Sequence, residues 1–332
     1  MTGRLMLLDT ASLYFRAFHG VPDTVRSPDG SPVNAVRGLL DMIAKLVADF
    51  SPTSLVACWD DAWRPSWRVD LIPSYKEHRV ARVVPGGLDV EEVPPLLTQQ
   101  IPLIREVLEA FGIVVLGAPD MEADDVIGTL ATHADGPVDV VTGDRDLFQL
   151  VDDQAPVRVI YTARGMSRLE LVTADVLTTK YGITPSQYVD FAVMRGDPSD
   201  GLPGVAGIGE KTAATLLAEH GDLAGILAAA GASPSPLSAS VRAKLTAAAD
   251  YLVVAPRVVE VVRDLAVAVP PAAGPGAAAT SPGAAAAHPA AAPDARLGAL
   301  SPERLEAVHA LAGKWGLGGS ADRAIRALAA AG

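Results

Sequence analysis

Residues 4–9 read RLMLLD, and residues 53–60 repeat that design as TSLVACWD. Each is a short apolar run that ends in an aspartate, which is typical of a strand buried on both faces of a parallel sheet. Between the two runs, apolar residues recur at helical spacing, namely Val36, Leu39, Leu40, Ile43 and Val47. The three segments predict a βαβ unit.

The alternation of helix and strand continues beyond residue 60. Ile101, Ile104, Leu108 and Phe111 keep helical spacing, and the apolar runs 113–116 and 138–142 read as further strands. This alternation predicts an α/β fold with a mostly parallel central sheet flanked by helices. Ligands of such sheets gather at the carboxyl ends of the strands.

Acidic residues recur at those strand ends and in the turns that follow them. The nine candidates are Asp9, Asp60, Glu122, Asp124, Asp125, Asp144, Asp146, Asp197 and Asp200. Taken alone, the 122–125 cluster is an ordinary helix start, and the pairs at 144–146 and 197–200 are ordinary turn residues. Their convergence at one edge favours a site for several metal ions, because like charges cannot share a pocket without cations.

The composition is that of a globular protein. The chain has 332 residues, of which 49% are hydrophobic, and its single cysteine, Cys58, excludes an intrachain disulfide. The sequence shows neither a signal peptide nor an apolar run of membrane-spanning length, so we expect a cytoplasmic protein without a membrane partner.

The formal net charge of −12 does not exclude a nucleic-acid partner. The nine candidate carboxylates account for most of it, and residues 64–82 carry five basic residues against two acids. This basic stretch includes Trp67 and Tyr75, a mixture that suits an unpaired nucleic-acid strand. A solvated basic loop remains the alternative.

Residues 204–212 read GVAGIGEKT, which is nearly a Walker phosphate loop. Glu210 splits the Gly-Lys pair that such a loop requires, and no strand precedes it. We interpret it as a glycine-rich turn between two helices, whose amides and Lys211 face a nucleic-acid phosphate. A simple helix–helix turn is the alternative.

The chain divides into four predicted regions. Residues 1–172 form the α/β core, which includes a segment over the site at about 63–97, and residues 173–265 form a helical lobe. Residues 266–297 are a linker rich in alanine and proline, and residues 298–332 regain helical periodicity.

These features together resemble the 5′ nuclease family, namely flap endonucleases and the 5′-to-3′ exonuclease domain of bacterial DNA polymerase I. The resemblance spans about residues 4–265. It rests on LLDT with Arg16, the strand-end Asp60, SYKEHR, MEADDVIG, TGDRDLFQL and GDPSDGLPGVAGIGEKTA. Thr10, Trp59 and Gly201 depart from the usual family residues without removing a candidate ligand.

The resemblance implies a PIN-like core, a helical arch in the segment after Asp60, and a helix-three-turn-helix lobe. It also implies a free-standing structure-specific 5′ nuclease, both a 5′-to-3′ exonuclease and a 5′-flap endonuclease, for Okazaki-fragment processing and DNA repair. The implied cofactors are two or three Mg²⁺ or Mn²⁺ ions, with K⁺ at the helix-three-turn-helix. We expect a monomer that acts on DNA with 5′ flaps or ends alongside a DNA polymerase and a ligase, with RNA-primed ends as a substrate to test.

By the same resemblance, Glu122, Asp124, Asp125 and Asp144 hold the first metal site, supported by Asp9 and Asp60. The second site is implied to consist of Asp146, Asp197 and Asp200. Lys76, Arg79 and Asp144 are the implied catalytic residues. The implied DNA-binding residues are Arg16, Tyr75, Lys76, Arg79, Gly204, Gly207, Gly209, Lys211 and Thr212.

Three other interpretations fit less well. An aspartyl phosphatase needs a second aspartate where Ala11 stands. A small metal-dependent ribonuclease of related topology lacks a glycine-rich turn such as residues 201–212. A non-enzymatic DNA-binding scaffold is expected to have lost acids, yet all nine positions are filled.

Overall fold

The computed structural model describes residues 3–267 and 295–331. The strands are β1 (Leu5–Asp9), β2 (Ser54–Cys58), β3 (Val80–Arg82), β4 (Val90–Glu91), β5 (Val114–Leu116), β6 (Val138–Thr142), β7 (Val157–Tyr161) and β8 (Glu170–Val172). The helices are α1 (Thr10–Gly20), α2 (Asn34–Phe50), α3 (Ser66–Leu71), α4 (Pro95–Thr98), α5 (Ile101–Ala110), α6 (Ala123–Thr132), α7 (Ala174–Tyr181), α8 (Tyr188–Arg195), α9 (Glu210–His220), α10 (Leu223–Gly231), α11 (Ala239–Ala247), α12 (Ala249–Val259), α13 (Pro302–Trp315) and α14 (Gly318–Ala331). Within the described ranges, none of the helices is long and apolar enough to cross a membrane.

The central sheet has six strands in the order β5-β2-β1-β6-β7-β8. The first five are parallel and β8 is antiparallel to β7, so the predicted mostly parallel sheet is confirmed. The chain runs from β1 to one side of the sheet and then returns to the other side with β6. This reversal opens a crevice at the carboxyl ends of β1 and β6, where Asp9 ends its strand.

Both faces of the sheet are covered by helices, which explains the continuous apolar runs of β1 and β6. Leu7 and Val140 belong to one buried cluster, which continues into α6 and the helices of the second lobe. Their neighbours Leu8 and Val141 belong to the opposite cluster, beneath α1, α2 and α5. Successive side chains therefore enter two different cores, as strand geometry requires.

The helical lobe is joined to the sheet by aromatic packing. Tyr188 and Phe191 on α8 are fully buried. The ring of Tyr188 contacts that of Phe148, with centroids 5.7 Å apart, and Phe148 lies just after β6. Because Phe148 follows the strand that leads into the acidic turn, this packing fixes the lobe beside the carboxyl edge of the sheet.

The segment 63–97 is α-helical only near its two ends. It contains α3 and α4, a short 3₁₀ helix at Glu77–Arg79, and between them the antiparallel hairpin of β3 and β4. The helical arch implied by the family resemblance is thus partly replaced by a hairpin. Branched residues on both strands and a Pro-Gly-Gly turn at 85–87 account for this, since both favour hairpins over helices.

The C-terminal helices dock on the core. Most of the predicted linker, residues 268–294, lies outside the described residues, but its last residues contact the sheet. The amide of Leu55 donates to the carbonyl of Ala295 at 2.9 Å, and that of Leu297 donates to Thr53 at 2.8 Å. α13 and α14 then cover α5 and α2, burying Val308 among others.

Candidate active site

Five of the nine candidate acids meet in one pocket at the carboxyl edge of the sheet. The pocket has a volume of about 240 Å³. Its carboxylates, which define what we call the acidic pocket, are Asp9, Asp60, Glu91, Glu122, Asp124 and Asp144. Lys76 and Arg79, which belong to the segment 63–97, also line the pocket.

Asp9 is held by the ends of β1 and β6. One carboxylate oxygen accepts from the Ser12 amide at 3.1 Å, which caps α1, and the other accepts from the Thr142 hydroxyl at 2.7 Å. Thr142 in turn accepts from the Asp144 amide at 2.9 Å. Burial raises the pKa of Asp9 to about 7, and the charges of Asp60 and Asp144 add to the rise.

Asp60 and Asp124 carry charges that the protein compensates poorly. Burial raises the pKa of Asp60 to about 6, although the Ala123 amide donates to it at 2.7 Å and lowers the pKa. Burial and the charges of Asp9 and Asp144 hold the pKa of Asp124 well above its usual range. The pocket therefore has a deficit of positive charge.

Asp146, Asp197 and Asp200 lie beside the pocket and form what we call the second acidic group. The Asp146 amide donates to Asp144 Oδ1 at 2.8 Å, which joins this group to the pocket. Asp197 accepts from Arg195 at 3.1 Å, and Asp200 accepts from Arg79 at 3.0 Å. Two of its three carboxylates are thus paired with cations.

Asp146 is the uncompensated member of the second acidic group. Its Oδ1 atom is buried and has no hydrogen-bond partner. Burial, followed by the charges of Asp144 and Asp200, holds its pKa well above the usual range. A buried carboxylate oxygen without a donor is a position at which a cation would supply the compensating charge.

Asp125 does not face the pocket. Its two oxygens accept from the two terminal nitrogens of Arg68 at 2.7 and 2.8 Å, and Asp125 is fully buried. Arg68 also donates to Glu122 at 2.7 Å. We call Arg68, Glu122 and Asp125 the Arg68 cluster.

The implied role of Asp125 as a metal ligand stays a prediction, and in this structure its carboxylate is turned toward Arg68. Adjacent residues of a helix point about 100° apart, so Asp124 faces the pocket while Asp125 faces α3. Asp125 instead supports the segment above the pocket through α3. Glu122 belongs to both places, because it lines the pocket and accepts from Arg68.

The implied DNA contact of Tyr75 stays a prediction, and this structure buries its side chain. Its side chain is only 4% exposed, and its hydroxyl donates to Glu122 at 2.7 Å. In this arrangement its ring is not exposed for stacking on a nucleic-acid base. Its neighbour Lys76 forms an ion pair with Glu122 Oε1 and keeps its ammonium group at the pocket wall, whereas Arg79 pairs with Asp200.

The donor chemistry of this edge fits a hard divalent cation. The candidate ligands are all carboxylate oxygens, which Mg²⁺ and Mn²⁺ prefer. Across residues 3–267 and 295–331, no three His, Cys, Asp or Glu side chains already meet at one coordination centre. The raised carboxylate pKa values and the unpartnered oxygen of Asp146 nevertheless show where positive charge is lacking.

The glycine-rich turn leads into α9, whose first residue, Glu210, contacts Arg145 between Asp144 and Asp146. Gly207 has φ +76°, a conformation that favours glycine, and it is exposed together with Gly209 and Lys211. Thr212 is half-buried in the first turn of α9. Gly204 is buried, since a Cβ there would lie 2.6 Å from the amide nitrogen of Gly196. Glycine is required there by close backbone packing, and its DNA contact stays a prediction.

Arg16 lies in a neighbouring groove of about 870 Å³ that shares Ser12 and Phe15 with the acidic pocket. Its Nε atom is buried without a hydrogen-bond partner. This placement leaves its guanidinium beside the acidic pocket, where the sequence predicts a DNA contact.

Four side chains that shape the site could not be identified from the sequence. Thr142 and Ser12 orient Asp9, and Glu91 reaches the pocket from β4. Arg68 was part of a basic stretch whose composition does not distinguish a buried arginine from a solvated one. The position of Thr142, at the end of a buried strand and two residues before Asp144, is the one usable signal.

Two family models match the chain. The model of the 5′-3′ exonuclease N-terminal resolvase-like domain matches residues 4–182, and that of the 5′-3′ exonuclease C-terminal SAM fold matches residues 183–277. Together they cover most of the chain, including every residue of the acidic pocket and the glycine-rich turn.

The similar proteins include a 5′-3′ exonuclease and a DNA polymerase I. A Streptomyces coelicolor 5′-3′ exonuclease is 54% identical over 325 residues, covering 98% of this chain and 100% of that protein. DNA polymerase I of Mycobacterium bovis is 43% identical over 245 residues, covering 73% of this chain and 26% of the polymerase. A crystal structure of the bacteriophage T5 flap endonuclease with DNA and metal ions has a TM-score of 0.61 at 16% identity, covering 77% of this chain and 88% of that one. At that identity, the likeness concerns the fold.

Proposed function

Because the chain belongs to the 5′-3′ exonuclease family, we propose that its acidic pocket hydrolyses a phosphodiester bond near the 5′ end of DNA. The observation that carries this proposal is the convergence of Asp9, Asp60, Asp124 and Asp144 on one pocket beside Lys76 and Arg79. The same pocket is proposed to serve 5′-to-3′ exonuclease and 5′-flap endonuclease cleavage. Okazaki-fragment processing and DNA repair are the corresponding cellular roles.

The metal ligands are proposed residue by residue. Asp9, Asp60, Glu122, Asp124 and Asp144 would hold one Mg²⁺ or Mn²⁺ ion, and Asp146, Asp197 and Asp200 a second. Asp125 is left out because Arg68 occupies both of its oxygens. Such ions supply an activated water and stabilise charge on the departing oxygen when bound.

Lys76 and Arg79 act on the phosphate from the segment above the pocket. Both side chains line the pocket, and each is held by an acid from a different group, Glu122 or Asp200. Fixed cations of this kind stabilise charge that develops on a transferring phosphoryl group, because they need no reorganisation during the reaction.

The glycine-rich turn is proposed to grip duplex DNA. Gly207, Gly209 and Lys211 are exposed at the start of α9, where backbone amides and the helix dipole favour a phosphate. Thr212 follows in the same turn, and a K⁺ ion is proposed to bind between this turn and the DNA backbone. The protein is proposed to act as a monomer in concert with a DNA polymerase and a ligase.

The test uses three labelled substrates: a duplex with a 5′ flap, a nicked duplex, and a matched duplex with a 3′ flap. Cleavage of the first two in Mg²⁺ or Mn²⁺, with little cleavage of the third and none in excess chelator, is the expected result. Equal cleavage of the 3′ flap, or robust cleavage without divalent ions, would contradict the proposal. An RNA-primed version of the flap measures whether RNA ends are accepted.

A further inference from the structure

The Glu210 carboxylate contacts two arginines, one from the turn that carries Asp144 and Asp146 and one from just before the turn that carries Asp197 and Asp200. It is the first residue of α9 and directly follows the glycine-rich turn. Its Oε1 atom accepts from Arg145 at 3.2 Å and lies 3.7 Å from Arg195. Arg145 stands between Asp144 and Asp146 in the sequence, and Arg195 precedes the Asp197 turn. One carboxylate therefore joins the start of α9 to both acid-bearing turns.

The Arg195 side chain is itself fixed in position by several contacts. Its side chain is 8% exposed, and it donates to the Gly196 carbonyl at 2.9 Å and to Asp197 at 3.1 Å. Its guanidinium also lies over the ring of Phe191, at 5.6 Å. A planar group fixed on three sides gives Glu210 a defined anchor beside the second acidic group.

The other end of the glycine-rich turn is fixed by the backbone. The Val205 amide donates to the Met194 carbonyl at 2.9 Å, and Gly196 and Gly204 approach so closely that neither has room for a Cβ. The turn is thus held at its start by these contacts, and its end is joined to Glu210 and to Lys244, whose ammonium donates to the Gly207 carbonyl at 2.9 Å. Loss of the Glu210 contacts would remove the link between the start of α9 and the two acid-bearing turns.

The Glu210 contacts contribute little to stability. Glu210 is 52% exposed and Arg145 is 35% exposed, and ion pairs at that exposure contribute less than about 1 kcal/mol. Their consequence is geometric, because they join the start of α9, whose Ala213, Leu216 and Leu217 are buried in the lobe, to the two acid-bearing turns.

We propose that Glu210 is a positioning residue that determines which phosphodiester bond enters the acidic pocket. The inference rests on the proposed function, in which the turn before α9 grips the duplex and the acids cut the strand. Successive phosphates of one strand are spaced by about 3.4 Å along the duplex axis. A shift of the bound strand by one such spacing relative to the acids places the neighbouring bond in the acidic pocket.

The experiment maps cleavage products of a 5′-flap duplex at single-nucleotide resolution for the wild type and Glu210→Gln. Glutamine keeps the shape of the side chain and removes its charge. The ratio of the main product to its one-nucleotide neighbours is expected to fall about fivefold, the scale of losing one ion pair. DNA affinity in Ca²⁺ should stay within about twofold or tighten, because a negative charge near phosphates is removed.

Two further variants make the test specific. Glu219→Gln changes a 62% exposed acid on the same helix and should leave the product ratio unchanged. Arg145→Gln should reproduce the shift, and the double variant with Glu210→Gln should add little to it, as expected for two members of one contact.

The outcomes separate this inference from the proposed function. Wild-type protein that cuts no 5′ junction contradicts the proposed function itself. Wild-type cleavage with an unchanged product ratio in Glu210→Gln overturns the positioning role. A matched loss of DNA affinity and melting temperature in that variant also overturns it, because Glu210 would then serve only the fold of the lobe.

Discussion

The acidic pocket and the Arg68 cluster lie side by side at the start of α6, yet the carboxylates of the cluster are compensated by nearby donors more fully than those of the pocket. In the Arg68 cluster every carboxylate oxygen has a donor. Asp125 accepts from Arg68 and two backbone amides, and Glu122 accepts from Arg68, Tyr75 and Lys76. In the pocket, Asp124 sits with Asp9 and Asp60 at raised pKa values, and none of these three forms an ion pair within residues 3–267 and 295–331.

The difference shows how one acid-rich segment can serve both fold and function. The Arg68 cluster is complete without any group from solution, so it stabilises the packing of α3 against α6 and α12, where Arg68 Nε also donates to Val258 at 3.0 Å. The acidic pocket is incomplete, and its repulsion favours an incoming cation. The repulsion between the pocket carboxylates lowers stability, and the Arg68 cluster beside it contributes stability that offsets part of this loss.

The largest effect is expected from Asp144→Asn, which tests the pocket side of the comparison. Asp144 lines the pocket and accepts from the Asp146 amide, so it joins the two acidic groups. We expect single-turnover cleavage of a 5′ flap to fall roughly 1,000-fold, equivalent to about 4 kcal/mol, with an unchanged melting temperature. Asp153→Asn, the same change at an exposed position, is the control and should cleave normally. Normal cleavage by Asp144→Asn would move the active site elsewhere.

Arg68→Met tests the other side of the comparison. Arg68 is 2% exposed, and its loss leaves Glu122 and Asp125 as buried, poorly compensated carboxylates. We expect the free energy of unfolding in urea to fall by about 3–4 kcal/mol, the usual cost of removing one partner of a buried ion pair. Arg105→Met, which removes a 41% exposed arginine 3.9 Å from Asp61, should cost less than about 1 kcal/mol. Equal losses in the two variants would show that the cluster is not structural.

The sheet and the pocket could be predicted from the sequence because both follow from strand geometry. Apolar runs that end in Asp9 or Asp60 predict parallel strands, and parallel strands bring their carboxyl ends together. The Arg68 cluster could not be predicted in this way. Arg68 lies in a basic and aromatic stretch whose composition is the same for a solvated loop and for a buried ion pair, and its partners are 54 and 57 residues away.

The hairpin over the pocket escaped prediction for a related reason. The family resemblance carries a helical arch into residues 63–97, while the local sequence around the Pro-Gly-Gly turn favours β3 and β4. Local preference decided the conformation there. The assignment of individual ligands stays a prediction, because it depends on how the carboxylates rearrange around a cation.

Lys76→Ala combined with Arg79→Ala tests the two cations that line the acidic pocket from the segment 63–97. Each cation pairs with an acid and faces the pocket, so the double variant removes the positive charge nearest the phosphate. We expect single-turnover cleavage to fall about 100-fold, equivalent to about 3 kcal/mol, while the dissociation constant in Ca²⁺ changes only a few-fold. A large affinity loss with normal cleavage at saturation would mean that the segment is a docking surface.

The smallest effect, and the most direct test of the comparison, comes from the neighbours Asp124 and Asp125. Asp124→Asn removes an uncompensated charge from the pocket, so it should raise the free energy of unfolding without divalent ions by about 1 kcal/mol. Asp125→Asn instead weakens the two contacts to Arg68 and should lower it by about 2 kcal/mol. Urea denaturation in chelator measures both. Stabilisation of the wild type by Mn²⁺ should shrink in Asp124→Asn and persist in Asp125→Asn, since only Asp124 faces the pocket. If both variants moved stability in the same direction, the two clusters would be one electrostatic unit, and the distinction between a complete and an incomplete site would fail.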